Sequence, residues 1–298
     1  MTKTRWQALL GVMFLSCVLV WMVALWVKPD GIQVIACDVG QGDAFLMIQG
    51  STQVLIDAGT GKNIVECLDK YIPFWDRNIE IAIITHPQTD HYGGFVDVLQ
   101  HYYVENMLIS GLESGSQKHR LLEKLVGGRG TEVYFADTVS SMRSGSIYLD
   151  ILHPAESYIT SHSDKIFDTR TYGLSAFTSK EDPNLFSVVV LATYKNFDAL
   201  FTGDIDPSVS DLVADKLPNR KVEYLKVPHH GSKNGMSELL LRAVNPDLAV
   251  ISASKNNSYG HPHKQILEML GRLDIKTLRT DVVGDIVVES DGSSVWTR

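Results

Sequence analysis

Five short stretches of the chain concentrate the side chains that could do chemistry. They are DVGQGD (38–43), HPQTDHYGG (86–94), FTGD (201–204), KVPHHGS (226–232) and YGHPHK (259–264). Each stretch by itself is typical of an ordinary turn or a solvated loop. Together they supply aspartate and histidine, the carboxylate and imidazole ligands that zinc and manganese take from proteins. So many ligand-type residues at similar positions predict a divalent-metal site.

The stretch HPQTDHYGG has the spacing of half a metal site but departs from it at one position. His86, Asp90 and His91 follow an apolar run and precede two glycines. Sites of this spacing usually place a further ligand two residues after the first histidine, and that position is Gln88. A working two-metal hydrolase, a one-metal variant and a fold that has lost its chemistry are all compatible with this pattern.

The elements around these stretches predict an α/β layered domain. Apolar, strand-like runs alternate with helix-like runs in both halves of the chain, and the second half has predicted helices at 208–217, 236–244 and 263–273. The five stretches follow predicted strands, and open α/β sheets place their sites at those strand ends. Residues 155–183 are polar and are expected to form one long surface loop.

The N-terminal segment predicts a transmembrane helix. Trp6–Val27 carries no charged residue, and its length of 22 residues would span roughly 33 Å, the thickness of a bilayer core. A cleaved signal peptide fits less well, because the run is long and its end, VALWVKPDG, is a poor cleavage site. We therefore expect residues 1–28 to form an uncleaved membrane anchor and residues 29–298 to form one globular domain.

The charges that flank the anchor predict the side on which the domain lies. Lys3 and Arg5 precede the apolar run and Lys28 follows it, so the positive-inside bias keeps the N-terminus in the cytoplasm. A single-pass membrane protein with an extracytoplasmic domain is expected. Cysteine usage adds little: a Cys37–Cys67 disulfide is one alternative, but two buried free thiols are favoured because no dense cysteine framework is present.

The domain is acidic, which limits how it can bind an anion. The chain has a net charge of −8, and the segment after residue 28 carries 24 Lys and Arg against 35 Asp and Glu, a net of −11. Such a domain does not attract polyanions through its overall field, so an anionic substrate must be held locally. A basic rim around the late stretches is expected from four lysines: Lys226, Lys233, Lys255 and Lys264.

The motifs resemble those of the metallo-β-lactamase superfamily and, within it, the exported hydrolase domain of ComEC/Rec2-type DNA-uptake proteins. DVGQGDA, LIDAG, LFTGDI, LKVPHHGS and LRTDVVGDIVVESDG occur in the family's order, and the resemblance covers roughly residues 32–295. It implies a four-layer αβ/βα sandwich. The family's large multi-helix channel is absent from this sequence, and one predicted anchor helix stands in its place.

Carried over residue by residue, the resemblance implies a ligand set. Asp90 and His91 would bind one metal, His86 would face the other, and Asp204 would bridge them. Either His229 or His230 would complete the Asp90/His91 site, and the other would face substrate. Asp57 would hold a ligand histidine from behind, and Asp38, Gln41 and Asp43 would order the loop beneath the site. His261 or His263 would lie near the leaving group or the phosphate. Lys233 and His263 would contact the substrate.

The glutamine in the first histidine motif weakens one of the two implied sites. Gln88 would leave His86 with a thin ligand set, and His153 is the best remaining source of a further ligand, since His101 and His119 fall on predicted helices. We therefore expect one firm and one weak site for Zn²⁺ or Mn²⁺. Asp90, with help from His230 and His261, is the expected catalytic group, acting on a metal-activated water.

The resemblance implies a membrane-anchored phosphodiesterase or nuclease that acts on DNA and is related to competence and DNA uptake. Two alternatives remain at this stage. One is an enzyme acting on a small or wall-linked phosphodiester, as phosphorylcholine esterases do. The other is a catalytically inactive interaction module of the DNA-uptake machinery, which the presence of Gln88 would favour.

Overall fold

The computed structural model describes residues 3–26, 31–167 and 173–298. The first segment is one helix, α1 (Lys3–Trp26), whose stretch Arg5–Met22 has a mean hydropathy of 1.5 and is long and apolar enough to be a candidate membrane span. Its described side chains make no buried contact with the remainder of the described chain. The expected boundary between residues 28 and 29 lies outside the described residues, as does Val27 at the end of the predicted span.

The described residues after position 30 form strands and helices in close alternation. The strands are β1 (Ile32–Ala36), β2 (Phe45–Gln49), β3 (Thr52–Ile56), β4 (Asn78–Ile84), β5 (Tyr103–Ile109), β6 (Glu132–Phe135), β7 (Ser141–Ser144), β8 (Ile147–His153), β9 (Lys165–Ile166), β10 (Phe177–Thr178), β11 (Val189–Tyr194), β12 (Phe197–Phe201), β13 (Tyr224–Lys226), β14 (Leu248–Ile251), β15 (Lys276–Arg279), β16 (Ile286–Ser290) and β17 (Val295–Thr297). The helices are α2 (Asn63–Tyr71), α3 (Thr89–Tyr92), α4 (Phe95–His101), α5 (Gln117–Arg129), α6 (Glu156–His162), α7 (Pro207–Ala214), α8 (Glu238–Val244), α9 (Lys264–Arg272) and α10 (Thr280–Val283), with 3₁₀ turns at Pro183–Phe186 and Pro228–Gly231.

Two large sheets pack face to face and carry helices on their outer faces. The first sheet has the order β17-β16-β1-β2-β3-β4-β5-β6, and the second has the order β15-β14-β13-β12-β11-β8-β7. Successive side chains of a strand point to opposite faces, so β1 sends Val34 and Ala36 into the layer between the sheets and Ile35 towards α2 and α4. The second sheet buries its outer face under α7, α8 and α9. This arrangement confirms the expected four-layer αβ/βα sandwich.

Strand direction brings the chemical stretches to one edge of both sheets. In the first sheet β1, β3 and β4 run the same way, because β1 and β3 are both antiparallel to β2 and β3 is parallel to β4. In the second sheet β12, β13, β14 and β15 are mutually parallel. The loops that follow these strands therefore meet at what we call the site edge, and the strand beginnings of the first sheet form the opposite, basal edge.

The cysteine prediction was wrong. Cys37, just after β1, and Cys67, on α2, form a disulfide, with their Cα atoms 6.0 Å apart. The strand end and the helix lie side by side in the same outer core layer, so the two thiols meet although 30 residues separate them. Sequence spacing alone could not show this contact, and the expectation of two free thiols is replaced by one buried cross-link.

The expected long loop at 155–183 contains regular structure. Glu156–His162 forms helix α6, and Lys165–Ile166 pairs with Phe177–Thr178 as a small two-stranded ribbon. Only Ile159 is buried on α6, so the helix has no apolar periodicity that a sequence pattern could detect. Residues 168–172 of this region lie outside the described part of the chain.

Candidate metal centre

Four of the predicted ligands converge on one point at the site edge. His91 Nε2 and His230 Nε2 lie 3.3 and 3.2 Å from the same oxygen, Oδ2 of Asp204. Oδ2 of Asp90 lies 3.6 Å from His230 Nε2, and Asp90, His91 and His230 offer ligand atoms that are all within 4.8 Å of one another. Two imidazoles and two carboxylates around a single point form a donor set that suits zinc or manganese.

Each converging histidine is held from behind by a buried carboxylate. His91 Nδ1 donates to Oδ2 of Asp57 at 2.8 Å, and Thr85 donates to both oxygens of that carboxylate. His230 Nδ1 lies 3.1 Å from the carbonyl oxygen of Ser252 and 3.2 Å from Oδ1 of Asp43. With Nδ1 engaged in this way, each imidazole presents Nε2 to the centre, as in the carboxylate–histidine pairs of metal sites.

The backbone of the HHGS stretch decides which of its two histidines faces the centre. His229 and His230 both have left-handed backbone angles, with φ values of 50° and 52°, directly after β13. This conformation is costly for residues other than glycine and is concentrated at functional sites. It turns the chain so that His230 is buried against Asp204, whereas His229 lines the open pocket and its ring lies 5.7 Å from that of His261.

The charges at the centre balance internally. Burial alone would lower the pKa of His91, but the Asp204 and Asp57 carboxylates outweigh burial and hold that pKa well above its ordinary value. Burial likewise opposes a raised pKa at His230, where Asp204 and Asp43 have the larger effect. The carboxylates thus favour the protonated form of both imidazoles, and an ion bound here would displace those protons.

Lys226 is part of this balance and does not belong to a basic rim. Its side chain is fully buried, and its ammonium donates to the Gly203 carbonyl at 2.5 Å, lies 3.2 Å from Asp204 Oδ1 and pairs with Asp43. Burial would lower the pKa of Lys226, but the two carboxylates raise it above its ordinary value. The expectation of a four-lysine rim was wrong at this position, because a lysine between two buried acids is as internal as the acids themselves.

The second implied metal site has too few ligands. His86 is fully buried, and its Nδ1 lies 3.1 Å from Thr85 Oγ1 and 3.3 Å from Ser187 Oγ, which leaves Nε2 directed at His91 and Asp204. Burial and the neighbouring His91 lower the pKa of His86 to about 3, so its ring is neutral. Thr85 Oγ1 already donates to Asp57, so His86 Nδ1 donates to Thr85 Oγ1 and Nε2 carries the lone pair. Gln88 lines the pocket nearby. Among the described residues, the only histidine and carboxylate side chains that could share a metal ion with His86 are His91 and Asp204, and both belong to the first site.

His153 does not supply the missing ligand. Its Nε2 lies 2.8 Å from the Leu185 carbonyl oxygen and its ring packs edge-on against Tyr158 at 4.5 Å. It is therefore a core histidine, and it belongs to none of the potential metal-ligand groups of the described residues. His101 is exposed on α4 and His119 packs against Tyr92, so neither reaches the centre.

The donor set passes a direct test of fit to a divalent ion. The Nε2 atoms of His86, His91 and His230 are buried and make no hydrogen bond of acceptable geometry in the described protein, although those of His91 and His230 lie 3.3 and 3.2 Å from Asp204 Oδ2. An unsatisfied buried polar atom is costly, and three of them pointing into one space mark a place where something else binds. Since the space lies between carboxylates, a divalent cation meets the requirement and an anion or an apolar group does not.

An open pocket of about 340 Å³ lies directly above the centre. Its wall consists of Gln41, Thr60, Gln88, Thr89, Asp90, Asp204, His229, His230, Tyr259 and His261. Tyr259 is 65% exposed, and its ring lies almost parallel to that of His261, with 5.7 Å between the centroids. Thr60, Thr89 and Tyr259 were not among the predicted site residues, because hydroxyl side chains carry no distinctive spacing.

Three predicted residues do not reach this pocket. Asp38 is exposed and accepts a hydrogen bond from the Gly40 amide, so it orders its own loop away from the centre. Lys233 is exposed and is not part of the pocket wall. His263 precedes α9, with its ring 5.2 Å from His261, and lies behind that wall. Asp43 and Asp57 take the positions behind the ligands that the sequence predicted.

The sequence matches the metallo-beta-lactamase superfamily over residues 37–255. It is also similar to curated bacterial proteins. ComE operon protein 3 of Bacillus subtilis is 29% identical over 84% of this chain and 32% of its own length. Recombination protein 2 of Haemophilus influenzae is 26% identical over 86% of this chain and 28% of its own length. The chain thus spans about a third of the length of these curated relatives.

Solved structures agree on the fold. The metallo-beta-lactamase fold protein YhfI of Bacillus subtilis aligns with a TM-score of 0.55 and 11% identity, covering 87% of this chain and all of the other. Zn²⁺-bound PqqB of Methylobacterium extorquens aligns with a TM-score of 0.50 and 8% identity, covering 83% of this chain and 97% of the other. The chain therefore belongs to the metallo-beta-lactamase superfamily, whose members are generally metal-dependent hydrolases.

Proposed function

We propose that this chain is a membrane-anchored, metal-dependent phosphodiesterase that acts on DNA outside the cytoplasm. The observation that carries the proposal is the convergence of Asp90, His91, Asp204 and His230 beneath an open pocket, with buried Nε2 atoms that face one point and make no hydrogen bond there. A site that had only a structural role would not leave buried imidazoles unsatisfied next to solvent.

The residues around the point have separable roles. When bound, a divalent ion would supply Lewis acidity to a water and to the phosphate. Asp90 is the ligand whose carboxylate reaches furthest into the pocket, being about a quarter exposed, and it orients the attacking water. Its pKa lies below the ordinary range because His230 and His91 outweigh burial, so it acts as a carboxylate.

The pocket wall suits a phosphodiester oxygen. Burial and the neighbouring His230 and His229 lower the pKa of His261 to about 4, and burial also lowers the pKa of His229. Both rings are therefore neutral near pH 7, and each can donate one N–H hydrogen bond while it carries no net charge. Preorganised donors of this kind stabilise the charge that develops on phosphate oxygens.

Two observations favour DNA among the phosphodiesters. The exposed ring of Tyr259 stands at the pocket mouth on top of His261, which is the arrangement that stacks an unpaired base. The curated relatives include proteins named for competence and recombination. A substrate reaching this pocket as single-stranded DNA would place a base on Tyr259 and a neighbouring phosphate over Asp90.

The placement outside the cytoplasm rests on the anchor and the cross-link. Helix α1 is a candidate span, and Lys3 and Arg5 precede its apolar run. The Cys37–Cys67 disulfide ties the end of β1 to α2, and such bonds persist in oxidising compartments. Protease added to intact spheroplasts should digest the domain, and the protein should resist carbonate extraction. Protection of the domain would contradict this orientation.

The enzymatic proposal is tested on the purified full chain in detergent. Metal content is measured first, followed by hydrolysis of single-stranded DNA, double-stranded DNA and bis(p-nitrophenyl) phosphate with Zn²⁺ or Mn²⁺. Asp90→Asn keeps size and shape but weakens water orientation, so DNA hydrolysis should fall roughly 100-fold or more. Asp97→Asn, on α4 away from the pocket, is the matched control and should retain activity. If the wild-type protein hydrolyses none of these substrates with either metal, the proposal that it is an enzyme is wrong.

A second candidate, a non-catalytic module of an uptake complex, is favoured by one observation. Gln88 and Ser187 stand where His86 would otherwise find further ligands, so the two-metal arrangement is incomplete. This candidate predicts that Asp90→Asn leaves both metal-independent partner binding and the cellular phenotype unchanged. Hydrolysis of bis(p-nitrophenyl) phosphate without cleavage of either DNA would instead favour a small phosphodiester as the substrate.

A further inference from the structure

The most exposed large apolar side chains of the described residues lie far from the pocket. Phe74 is 78% exposed and Trp75 is 75% exposed, both in the turn between α2 and β4. Their rings pack against each other, with centroids 4.9 Å apart at an angle of 82°. Two neighbouring aromatic rings that contact each other and little else mark an interaction surface rather than scattered surface apolarity.

The turn that presents these rings is rigid. The Asp76 amide donates to the Pro73 carbonyl at 2.8 Å, and the Asp76 carboxylate accepts from Gln53 Nε2 at 3.1 Å. The same carboxylate accepts from the Asn78 amide at 3.2 Å. A turn fixed on both sides loses little conformational entropy when its tip is buried, which favours binding by that tip.

The turn lies at the basal edge, next to the point where the chain enters the domain from its N-terminal helix. Gln33 of β1 pairs with Ile48 of β2, and Ile48 pairs with Gln53 of β3. At about 4.8 Å between neighbouring strands, Gln33 and Gln53 are roughly 10 Å apart. Gln53 then holds Asp76, the residue beside Trp75.

A third aromatic residue lies at the same edge. Tyr103 begins β5, is 45% exposed, and donates its amide to the carbonyl of Arg77 at the end of the turn. Tryptophan and tyrosine are the side chains that favour the headgroup region of a bilayer, because their rings are apolar with a polar atom at one end. We call Phe74, Trp75 and Tyr103 the basal aromatic cluster.

Chain length confines this cluster to the neighbourhood of the membrane. Residues 27–30 separate the end of α1 from the described domain, so at most about 17 Å of extended chain connects them. The headgroup region on each side of a bilayer core is roughly 5–8 Å deep. With α1 in the bilayer, the basal edge cannot move far from the surface, and an exposed aromatic cluster on that edge meets the headgroups.

We propose that the basal aromatic cluster inserts into the bilayer interface and forms a second membrane contact, docking the domain with its pocket facing away from the membrane. The proposal rests on the anchor of the proposed function and on no part of its catalytic chemistry. Asp38 lies six positions after Ile32, and β1 covers Ile32–Ala36 of this stretch, which places the site edge roughly 15–20 Å from the basal edge.

The charges near the cluster predict which lipids it accepts. Arg77, at the end of the turn, pairs with Asp69, and its guanidinium lies 4.9 Å from the centroid of the Tyr102 ring. This cation is thus already matched by an acid. Docking should therefore depend on the aromatic rings and should occur on zwitterionic phosphatidylcholine without anionic lipid.

The test uses the full chain in phosphatidylcholine vesicles, with Trp75 as the single tryptophan after Trp6, Trp21, Trp26 and Trp296 are replaced by Phe. Lipid brominated near the headgroup end of its acyl chains should quench the Trp75 emission strongly, and aqueous iodide should quench it little, because the ring sits at the interface. The matched control adds Trp75→Phe and Val282→Trp to this chain. Val282 is 65% exposed on α10 at the site edge, so its replacement should be quenched by iodide and not by brominated lipid.

A third chain separates failure of the docking from failure of the anchor. It keeps Trp21 alone, and lipid brominated deep in the acyl region should quench that residue if α1 spans the bilayer. If Trp21 is quenched while Trp75 remains open to iodide, the docking proposal is wrong and the anchor stands. Shielding of Trp75 from both quenchers would show protein contact between copies and would also overturn the docking.

Discussion

Gly42 packs directly against the backbone of Asp90: a Cβ at Gly42 would lie 1.9 Å from the Asp90 carbonyl oxygen. The contact joins the loop after β1 to helix α3, which follows β4, and the Asp43 amide donates to that same oxygen at 3.2 Å. Gly42 is followed by Asp43, which lies behind His230, and Asp90 is followed by His91. The glycine therefore sets the distance between two halves of the metal centre.

Gly42→Ala should disrupt the centre. The added methyl group meets backbone, which cannot move aside easily, and Gly42 has φ near +112°, which side chains rarely adopt. We expect a loss of about 3 kcal/mol in unfolding free energy together with weaker metal binding. Gly40→Ala is the control: its φ is +77° but no atom lies within 4 Å, so it should cost only about 1 kcal/mol and keep metal affinity. Urea unfolding and metal titration measure both effects.

The two adjacent histidines of the HHGS stretch should separate metal binding from turnover. His230→Ala removes a ligand, so metal affinity should fall by more than the roughly 10–100-fold typical of losing an outer partner. His229→Ala removes a pocket donor, so metal content should be unchanged while turnover falls about 100-fold. The measurements are metal titration and DNA hydrolysis on both variants. Equal metal loss in the two variants would contradict the assignment of His230 as the ligand.

Gln88→His should strengthen the thin site. The new imidazole would face the pocket beside His86, whose Nε2 has no partner, and should raise metal stoichiometry. Gln100→His adds an imidazole on the exposed face of α4 and controls for nonspecific binding. The measurement is metal content after dialysis. Unchanged stoichiometry in Gln88→His would mean that no second ion is used.

His153 should make stability depend on pH. Burial lowers its pKa to about 4 from an ordinary 6.5, while the unfolded chain titrates normally. The native state therefore binds fewer protons between these values, and stability falls as pH decreases from 6.5 to 4, by roughly 3 kcal/mol from this residue. Urea unfolding at pH 7 and pH 5 should show a smaller difference in His153→Gln. His101→Gln, on an exposed helix position, should retain the wild-type difference.

Removal of the Cys37–Cys67 disulfide should destabilise the domain without removing a ligand. Closing a loop of 30 residues restricts the unfolded chain by an amount worth about 3–4 kcal/mol. The double variant Cys37→Ala/Cys67→Ala should lose about this much stability in urea unfolding and keep its metal affinity at low denaturant. Cys17→Ala, in the N-terminal helix, is the control and should leave domain stability unchanged. A reducing agent should affect only the wild type and Cys17→Ala.

The sequence was sufficient to predict the architecture because strand and helix periodicities are local. The alternation of β3, α2, β4 and α4 is visible in runs of a few residues, and it determines which loops meet at one edge. The short polar helix α6 escaped prediction because Ile159 is its only buried residue. A helix stabilised mainly by its own backbone hydrogen bonds has no pattern to detect.

Within the site, the sequence predicted which residues converge but not their individual orientations. The choice between His229 and His230 depends on left-handed backbone angles after β13, and neither residue is a glycine that would signal them. Lys226 was misplaced for a related reason. Its partners Asp43 and Asp204 lie 183 and 22 positions away, so the ion pairs exist only once the sheets pack.

The buried ammonium of Lys226 has a consequence for how the protein is assembled. It places a positive charge between Asp43 and Asp204, so part of their negative charge is compensated before any ion arrives. A fold whose acids needed the ion as their counter-charge would mature only where that ion is abundant. In this protein, folding and metal loading would be separate events, and the occupied fraction of the protein would follow the free-ion concentration of its surroundings.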